Sequence, residues 1–326
     1  MVFPVTLVTG FLGAGKTTLI QQLIQSGSLR DALVVVNDFG DLSIDGQILG
    51  QGDQDVIELG GGCVCCTVRD EFVTTLKAAV EAHPRMTSVW VETSGISAPS
   101  ELLAVFEANA WLTQRFRVER VVTVVDTLHA LRDLNDRANA IDQVVYASTV
   151  ILNRASAVSA DVQAAVAARI SDLNPWATQQ VLDVTTVTVD QFGSAMDYGD
   201  HSQIQRLQHV EHCGHIHASG EACEGHHHTL IGHGVESHMA RATDPLNAEI
   251  FSGALEAWIM AQGEGLLRMK GVLTLDDEAY PMILQGIRGQ VSVEPLLTHQ
   301  WPAGLSTLVV IGSDLDHAGL EALMGS

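Results

Sequence analysis

Gly10-Phe-Leu-Gly-Ala-Gly-Lys-Thr-Thr18 is the stretch that decides the fold. Gly10, Gly15, Lys16 and Thr17 occupy the fixed places of the phosphate-binding pattern G-x-x-x-x-G-K-[ST]. An apolar β-type run, residues 5–9, leads into it, and residues 18–24 lead out with helical periodicity. Glycines let the backbone curl until successive N–H groups point at one anion, and the following helix N-terminus adds partial positive charge. The pattern assigns phosphate contacts to Gly10, Gly13, Ala14, Gly15, Lys16, Thr17 and Thr18. Lys16 is expected to reach the β and γ phosphates, and the Thr17 hydroxyl to ligate Mg²⁺.

The bulk numbers narrow the rest. The chain has 326 residues, room for one large or two ordinary domains, and 46% are hydrophobic, enough for a sizeable core. A formal net charge of −22 argues against nucleic-acid and anionic-membrane partners and favours cations. No basic segment precedes the P-loop, so no cleaved leader is expected, and no apolar run approaches the roughly 18 residues of a membrane span. A cytoplasmic protein is the expectation, with its five cysteines reduced.

Working outward, Leu33-Val-Val-Val-Asn37 reads as a buried parallel strand ending in Asp38. Asp38, Asp41 and Asp45 follow at the strand end that faces the ligand crevice of an open α/β sheet, as candidates for Mg²⁺ or a positioned water. Ser88-Val-Trp-Val-Glu92 is another strand, and Glu92-Thr-Ser-Gly95 offers a second Mg²⁺ carboxylate. Residues 120–126 repeat the pattern more weakly with Asp126, and residues 149–156 form a further strand and loop. Strands alternating with helices to about residue 190 indicate a doubly wound, mostly parallel sheet.

Two clusters suggest metal. Gly60-Gly-Gly-Cys-Val-Cys-Cys66 places Cys63, Cys65 and Cys66 together, a thiolate density that suits zinc or another borderline cation. A fourth ligand must come from elsewhere or stay open. Between His201 and His238 lie ten of the fourteen histidines. The densest part holds His209, His212, Cys213, His215, His217, Cys223, His226, His227 and His228, and reads as a metal-binding tract rather than a packed core. The remainder suggests a smaller α+β domain. A helix starts near Asp244-Pro245 and runs through Trp258, strands lie at 267–275, 280–286, 289–294 and 307–312, and a last helix starts at His317. Arg268 and Lys270 share one strand face, where pairing with surface carboxylates is expected.

GFLGAGKTT, NDFG with Ile44-Asp45, ELGGGCVCC and VETSG together resemble the CobW-like family of P-loop GTPases, and Leu267-Arg-Met-Lys-Gly271 and Leu308-Val-Val-Ile-Gly312 resemble its C-terminal domain. The resemblance implies a P-loop GTPase domain over 1–190, a His-rich linker over 191–240 and a C-terminal α+β domain over 241–326. It implies GTP, Mg²⁺ and a transition metal, zinc first and cobalt or nickel next, delivered to a metal-requiring client protein, with a homodimer admissible. Lys16, Asp38 and Glu92 become the catalytic candidates, with Thr17, Asp38 and Glu92 on Mg²⁺. Two departures stand out. Asn37-Asp38 replaces the family's Asn-Glu, withdrawing the carboxylate by one methylene. Asn153-Arg154-Ala-Ser156 replaces the base-reading Asn-Lys-x-Asp, and Ser156 lacks the charged double acceptor that reads guanine. Arg154 can still lie over the base as lysine does. A nucleotide-binding metal buffer or sensor of low turnover is the alternative reading, with a small-molecule kinase behind it.

The metal assignments are separable by experiment. Deleting residues 209–228 should lower the number of metals bound yet spare a tight thiolate site, and Cys65→Ser should remove that tight site. Cobalt-loaded protein reports it through thiolate charge-transfer absorption; persistence of that band after all three of Cys63, Cys65 and Cys66 are replaced contradicts the assignment.

Overall fold

The computed structural model describes residues 2–37, 56–59, 67–192, 235–287, 290–296 and 301–325. Contacts divide the chain into two compact units, Met1–Ala167 with Ala177–Met196, and Ala168–Trp176 with Asp197–Ser326.

The first unit is built on seven strands: β1 (Phe3–Thr9), β2 (Ala32–Asn37), β3 (Val56–Leu59), β4 (Ser88–Glu92), β5 (Phe116–Asp126), β6 (Thr149–Asn153) and β7 (Thr178–Val181). They lie in the order β3-β2-β4-β1-β5-β6-β7, and every pairing is parallel. The doubly wound expectation is therefore met, with a wholly parallel sheet among the described residues. Strand composition explains it. The last five residues of β1 and all five of β6 are buried without alternation, as strands covered on both faces must be. Helix α1 (Lys16–Gln25) turns Leu19, Ile20 and Leu23 onto one face of the sheet, against Val8, Val34, Val36, Val122, Val124 and Ile151. The segment after β7 adds Val184, Val187 and Phe192 to the same cluster. The crossovers also carry α2 (Thr67–Ala82), α3 (Pro99–Ala108), α4 (Ala110–Arg115), α5 (Ala130–Asp136), α6 (Ala138–Val145) and α7 (Ala160–Leu173).

The second unit is a five-stranded sheet of β8 (Val235–Ala242), β9 (Leu266–Leu273), β10 (Met282–Ile287), β11 (Gln290–Pro295) and β12 (Ser306–Ser313), ordered β11-β10-β9-β12-β8. All four pairings are antiparallel. Helices α8 (Ala248–Gln262) and α9 (His317–Leu323) cover it through Phe251, Leu255, Trp258 and Leu320. The sequence expectation is corrected here in two places. Helix α8 starts after Asn247, whose side chain accepts from the Ile250 N–H, so Pro245 precedes the helix rather than opening it. Strand β8 takes residues 235–240 from the expected linker and continues through Ala242 of the expected C-terminal domain; its alternating Ala240 and Ala242 are core, a pattern masked by the polar bias upstream. Lys270 is half-buried, with its ammonium 5.2 Å from the Trp176 ring centroid. Burial, and then the Arg268 charge, push that ammonium well below the ordinary lysine range.

One contact governs where the P-loop leaves the sheet. Gly10 has φ 141°, and a Cβ there would run into the Val124 carbonyl of β5. Gly13, at φ 74°, has open space where its Cβ would be. Gly10→Ala should therefore lower stability by on the order of 3 kcal/mol, against about 1–2 kcal/mol for Gly13→Ala, which bears backbone strain alone. Thermal melts of both variants check the order; equal losses contradict the packing explanation.

Candidate functional site

The site grows from the end of β1. Gly15 is the N-cap of α1 at φ 108°, and among the described residues no side chain caps the helix. A helix start leaves its first N–H groups without intrahelical acceptors, the arrangement that suits an anion. The first turn holds no acidic residue to repel one. Lys16 is buried, 8% exposed, and its Nζ lies 3.4 Å from the Phe11 carbonyl at the loop's far side. The ammonium is thus folded back across the loop where phosphates would sit.

Glu92 ends β4, directly beside β1, with Val8 and Glu92 in register. The Thr17 hydroxyl donates to Glu92 Oε1 at 2.7 Å, and Glu92 is 4% exposed. A hydroxyl and a carboxylate in contact are hard oxygen donors of the kind Mg²⁺ takes beside a phosphate. The residues present therefore fit that ion. The Thr93 hydroxyl donates to Thr9 Oγ1 at 2.9 Å, and the Thr93 N–H to the Val8 carbonyl, locking the two strand ends together.

The opposite rim is β6. Asn153, buried, donates from Nδ2 to the Ala14 carbonyl at 2.9 Å, while its Oδ1 accepts the Arg154 N–H. Arg154 adopts φ 58° and donates from Nη2 to the Gly13 carbonyl at 2.6 Å. The same guanidinium lies 3.0 Å from Asp126 Oδ2, which also bonds His129 Nδ1 at 2.6 Å. Asp126 is thereby engaged in holding Arg154 and the following turn. Ser156 is exposed in the short 3-10 turn that follows.

The structure thus gathers the P-loop residues, Glu92, Asn153 and Arg154 at one edge of the sheet. Asp38, Cys63, Cys65, Cys66 and the tract from His209 to His228 lie outside the described residues. Among the described residues, no group of three or more His, Cys, Asp or Glu side chains converges as a ready metal site. Two residues escaped sequence reasoning. Gln143 of α6, 1% exposed, donates from Nε2 to the Gly95 and Ser97 carbonyls, and Asn139 donates to the Ile96 carbonyl at 2.6 Å. They hold the turn after Glu92, whose Gly95 packs so close that a Cβ would sit 2.9 Å from the Leu12 backbone. A single amide on an amphipathic helix carries no local signal of that role.

Fold and site together define a P-loop nucleotide-binding protein, with its phosphate loop, hydroxyl–carboxylate pair and Asn-led rim in place. The chain belongs to the CobW/HypB/UreG family: that family's nucleotide-binding domain matches residues 4–180, and the cobalamin synthesis protein CobW C-terminal domain matches residues 235–326. It is 28% identical to a zinc chaperone CobW of Sinorhizobium sp, over 98% of this chain and 95% of that protein. It is 26% identical to the zinc chaperone YjiA of Escherichia coli, over 98% and 96%. The crystal structure of Zn(II)-bound YjiA GTPase from E. coli superposes with a TM-score of 0.74 at 20% identity, covering 100% of this chain and 98% of that one. At that identity the superposition speaks for the fold. Among the described residues, no helix is long and apolar enough to cross a membrane.

Lys16→Ala removes the one ammonium folded across the phosphate loop. Hydrolysis should fall on the order of 10²-fold or more and nucleotide binding should weaken, with the fold intact. Turnover assays with circular dichroism check this; unchanged turnover in folded protein rules out the assigned site.

Proposed function

We propose that this protein is a GTP-hydrolysing metallochaperone that binds a transition metal, zinc first, and delivers it to a metal-requiring client protein. The observation that carries the proposal is the Thr17–Glu92 contact at the uncapped start of α1, in a chain whose sequence also holds the Cys63, Cys65 and Cys66 cluster. The relatives named as zinc chaperones support it, as does a fission-yeast relative, 25% identical over 90% of this chain, named a zinc-regulated GTPase metalloprotein activator.

In hydrolysis, a water oxygen bonds to the γ phosphorus as the bond from phosphorus to the bridging β–γ oxygen breaks. Lys16 and the N–H groups of the loop and α1 stabilise charge on the phosphate oxygens. Mg²⁺, when bound, would neutralise the β and γ oxygens; Thr17 and Glu92 would hold it. Asp38 is the proposed carboxylate that orients the attacking water. The cysteines follow β3 in sequence, and the C-terminal ends of β1, β2 and β3 share one edge of the parallel sheet. Nucleotide state changes metal affinity if the cysteine site differs between the bound states, and the coupling is reciprocal. The −22 charge and the His-rich tract raise the local concentration of cations. Hydrolysis assayed with and without Zn²⁺ tests the reading. Tight zinc binding with no turnover in either condition would replace it with the metal buffer or sensor.

Base choice gives a sharper test. Arg154 ties the base-side loop to the Gly13 carbonyl, but Ser156 supplies a neutral hydroxyl where the family's motif has the carboxylate that reads guanine. Losing charged hydrogen bonds while recovering one should cost about 1–3 kcal/mol, roughly ten- to hundredfold in preference for GTP. Ser156→Asp should restore discrimination against ITP, which lacks the exocyclic amine. Competition binding of GTP, ITP and ATP to both proteins checks it. Strong rejection of ITP by the wild type, unaltered in Ser156→Asp, places base reading in another loop.

A further inference from the structure

Helix α6 grips one turn of the site with two amides that touch neither the phosphate loop's donors nor the Mg²⁺ pair. Asn139 and Gln143 stand four residues apart, on one face of the helix. Gln143 Nε2 donates to the Gly95 carbonyl at 3.1 Å and to the Ser97 carbonyl at 3.2 Å. Asn139 Nδ2 donates to the Ile96 carbonyl at 2.6 Å. The helix is itself fixed to the sheet: Thr123 Oγ1 of β5 donates to the Gln143 carbonyl at 2.6 Å, and Thr123 is in register with Thr9 at the end of β1. Gln143 also lines a cavity of about 20 Å³ together with Phe11, Leu12 and Ala14 of the phosphate loop.

Packing alone does not call for an amide here. Gln143 is 1% exposed, and its Oε1 has no hydrogen-bond partner among the described residues. A buried acceptor in that state costs stability that an apolar side chain of the same size would not. Both N–H groups of Nε2, by contrast, go to the turn after Glu92.

We propose that Gln143 is a positioning residue for the Mg²⁺-bound nucleotide, holding the turn after Glu92 against the phosphate loop, with Asn139 in support. This rests on the nucleotide site proposed above. Strand pairing and the Thr93–Thr9 hydrogen bond fix the backbone as far as residue 93. From Gly95 on, the turn is placed by its close approach to the Leu12 backbone and by the two α6 amides. Without the amides, the carbonyls of residues 95–97 turn to water and the turn lifts from the loop. The Glu92 carboxylate, at the root of the turn, then meets Thr17 and Mg²⁺ in a wider range of positions. The phosphate contacts of Lys16 and the loop N–H groups are built by β1 and α1 and stay in place. Loss of Gln143 therefore acts on the Mg²⁺-dependent part of binding and on turnover, not on Mg²⁺-free binding.

The test uses the full-length chain. Affinity for a non-hydrolysable GTP analogue is measured with and without Mg²⁺, alongside kcat and KM for GTP and thermal melts. Gln143→Leu should keep Mg²⁺-free affinity within about twofold of wild type. Its Mg²⁺-dependent gain in affinity and its kcat should each fall roughly tenfold. Gln143→Glu keeps the shape but, when ionised, turns acceptor oxygens toward two carbonyls. Protonation gives it one donor, so its Mg²⁺-dependent gain relative to wild type should recover as pH falls, while that of Gln143→Leu stays flat. Asn139→Ala removes one hydrogen bond at the surface, outside the core, and should lower the same gain roughly threefold. A full Mg²⁺-dependent gain and full turnover in folded Gln143→Leu protein overturn the proposal. Equal losses of affinity with and without Mg²⁺, or parallel pH profiles for the two Gln143 variants, overturn it as well, because a purely structural amide gives those results. A wild type that binds the analogue with a Mg²⁺-dependent gain but turns over no GTP defeats the hydrolysis reading, and the gain in the variants still decides this one.

Discussion

The passage of Gly10 against the Val124 carbonyl is the contact on which the nucleotide site depends. A chain leaving β1 must turn within a few residues and enter α1 with its N–H groups facing inward. That turn is possible only where the backbone can approach β5 without a Cβ between them. Once it is made, neighbouring strands tie the loop down. Asn153 takes the Ala14 carbonyl, Arg154 takes the Gly13 carbonyl, and Thr17 meets Glu92. Each partner stands at the C-terminal end of its strand or just beyond it, because a wholly parallel sheet sends all those ends to one edge.

The turn after Glu92 is held from the other side. Gly95 lies against Leu12 of the phosphate loop, while Gln143 and Asn139 of α6 grip the carbonyls of Gly95, Ile96 and Ser97. A shift of the phosphate loop is therefore felt by this turn and by α6 through direct contact. On the β2 and β3 side, the sequences that follow the strand ends carry Asp38 and the three cysteines. The common direction of the strands brings both sets of strand ends to the same edge.

The second unit is organised differently. Its sheet is antiparallel, with α8 and α9 packed on one face. Where that apolar seam ends at Glu236 and His238, the helix answers with His317 and Glu321. Polar groups at a seam's end are ordinary; two stacked imidazoles, each on the other element's carboxylate, form a more specific arrangement.

Local patterns sufficed for part of this. The P-loop and the apolar strands that lead to Glu92 and Asn153 are legible because their signals lie in residues adjacent in the chain; the cysteine and histidine clusters are as plain in the sequence but lie outside the described residues. Periodicity also revealed most of the C-terminal elements, but missed β8, where a polar bias hid two alternating core alanines. Contacts between distant residues were beyond that reading. Asp126 gave a weak metal-ligand signal in the sequence, yet in the fold it grips Arg154 and His129. Gln143 looked like any helix amide until the fold set it under Gly95. His238 and His317 stand 79 positions apart by subtraction of their numbers, and only the packing of α9 on β8 makes them neighbours. A sequence specifies which groups a chain carries and how near neighbours in the chain are spaced. Which distant groups meet is decided by strand order and helix packing, because those contacts come from burying faces that no local pattern pairs with each other.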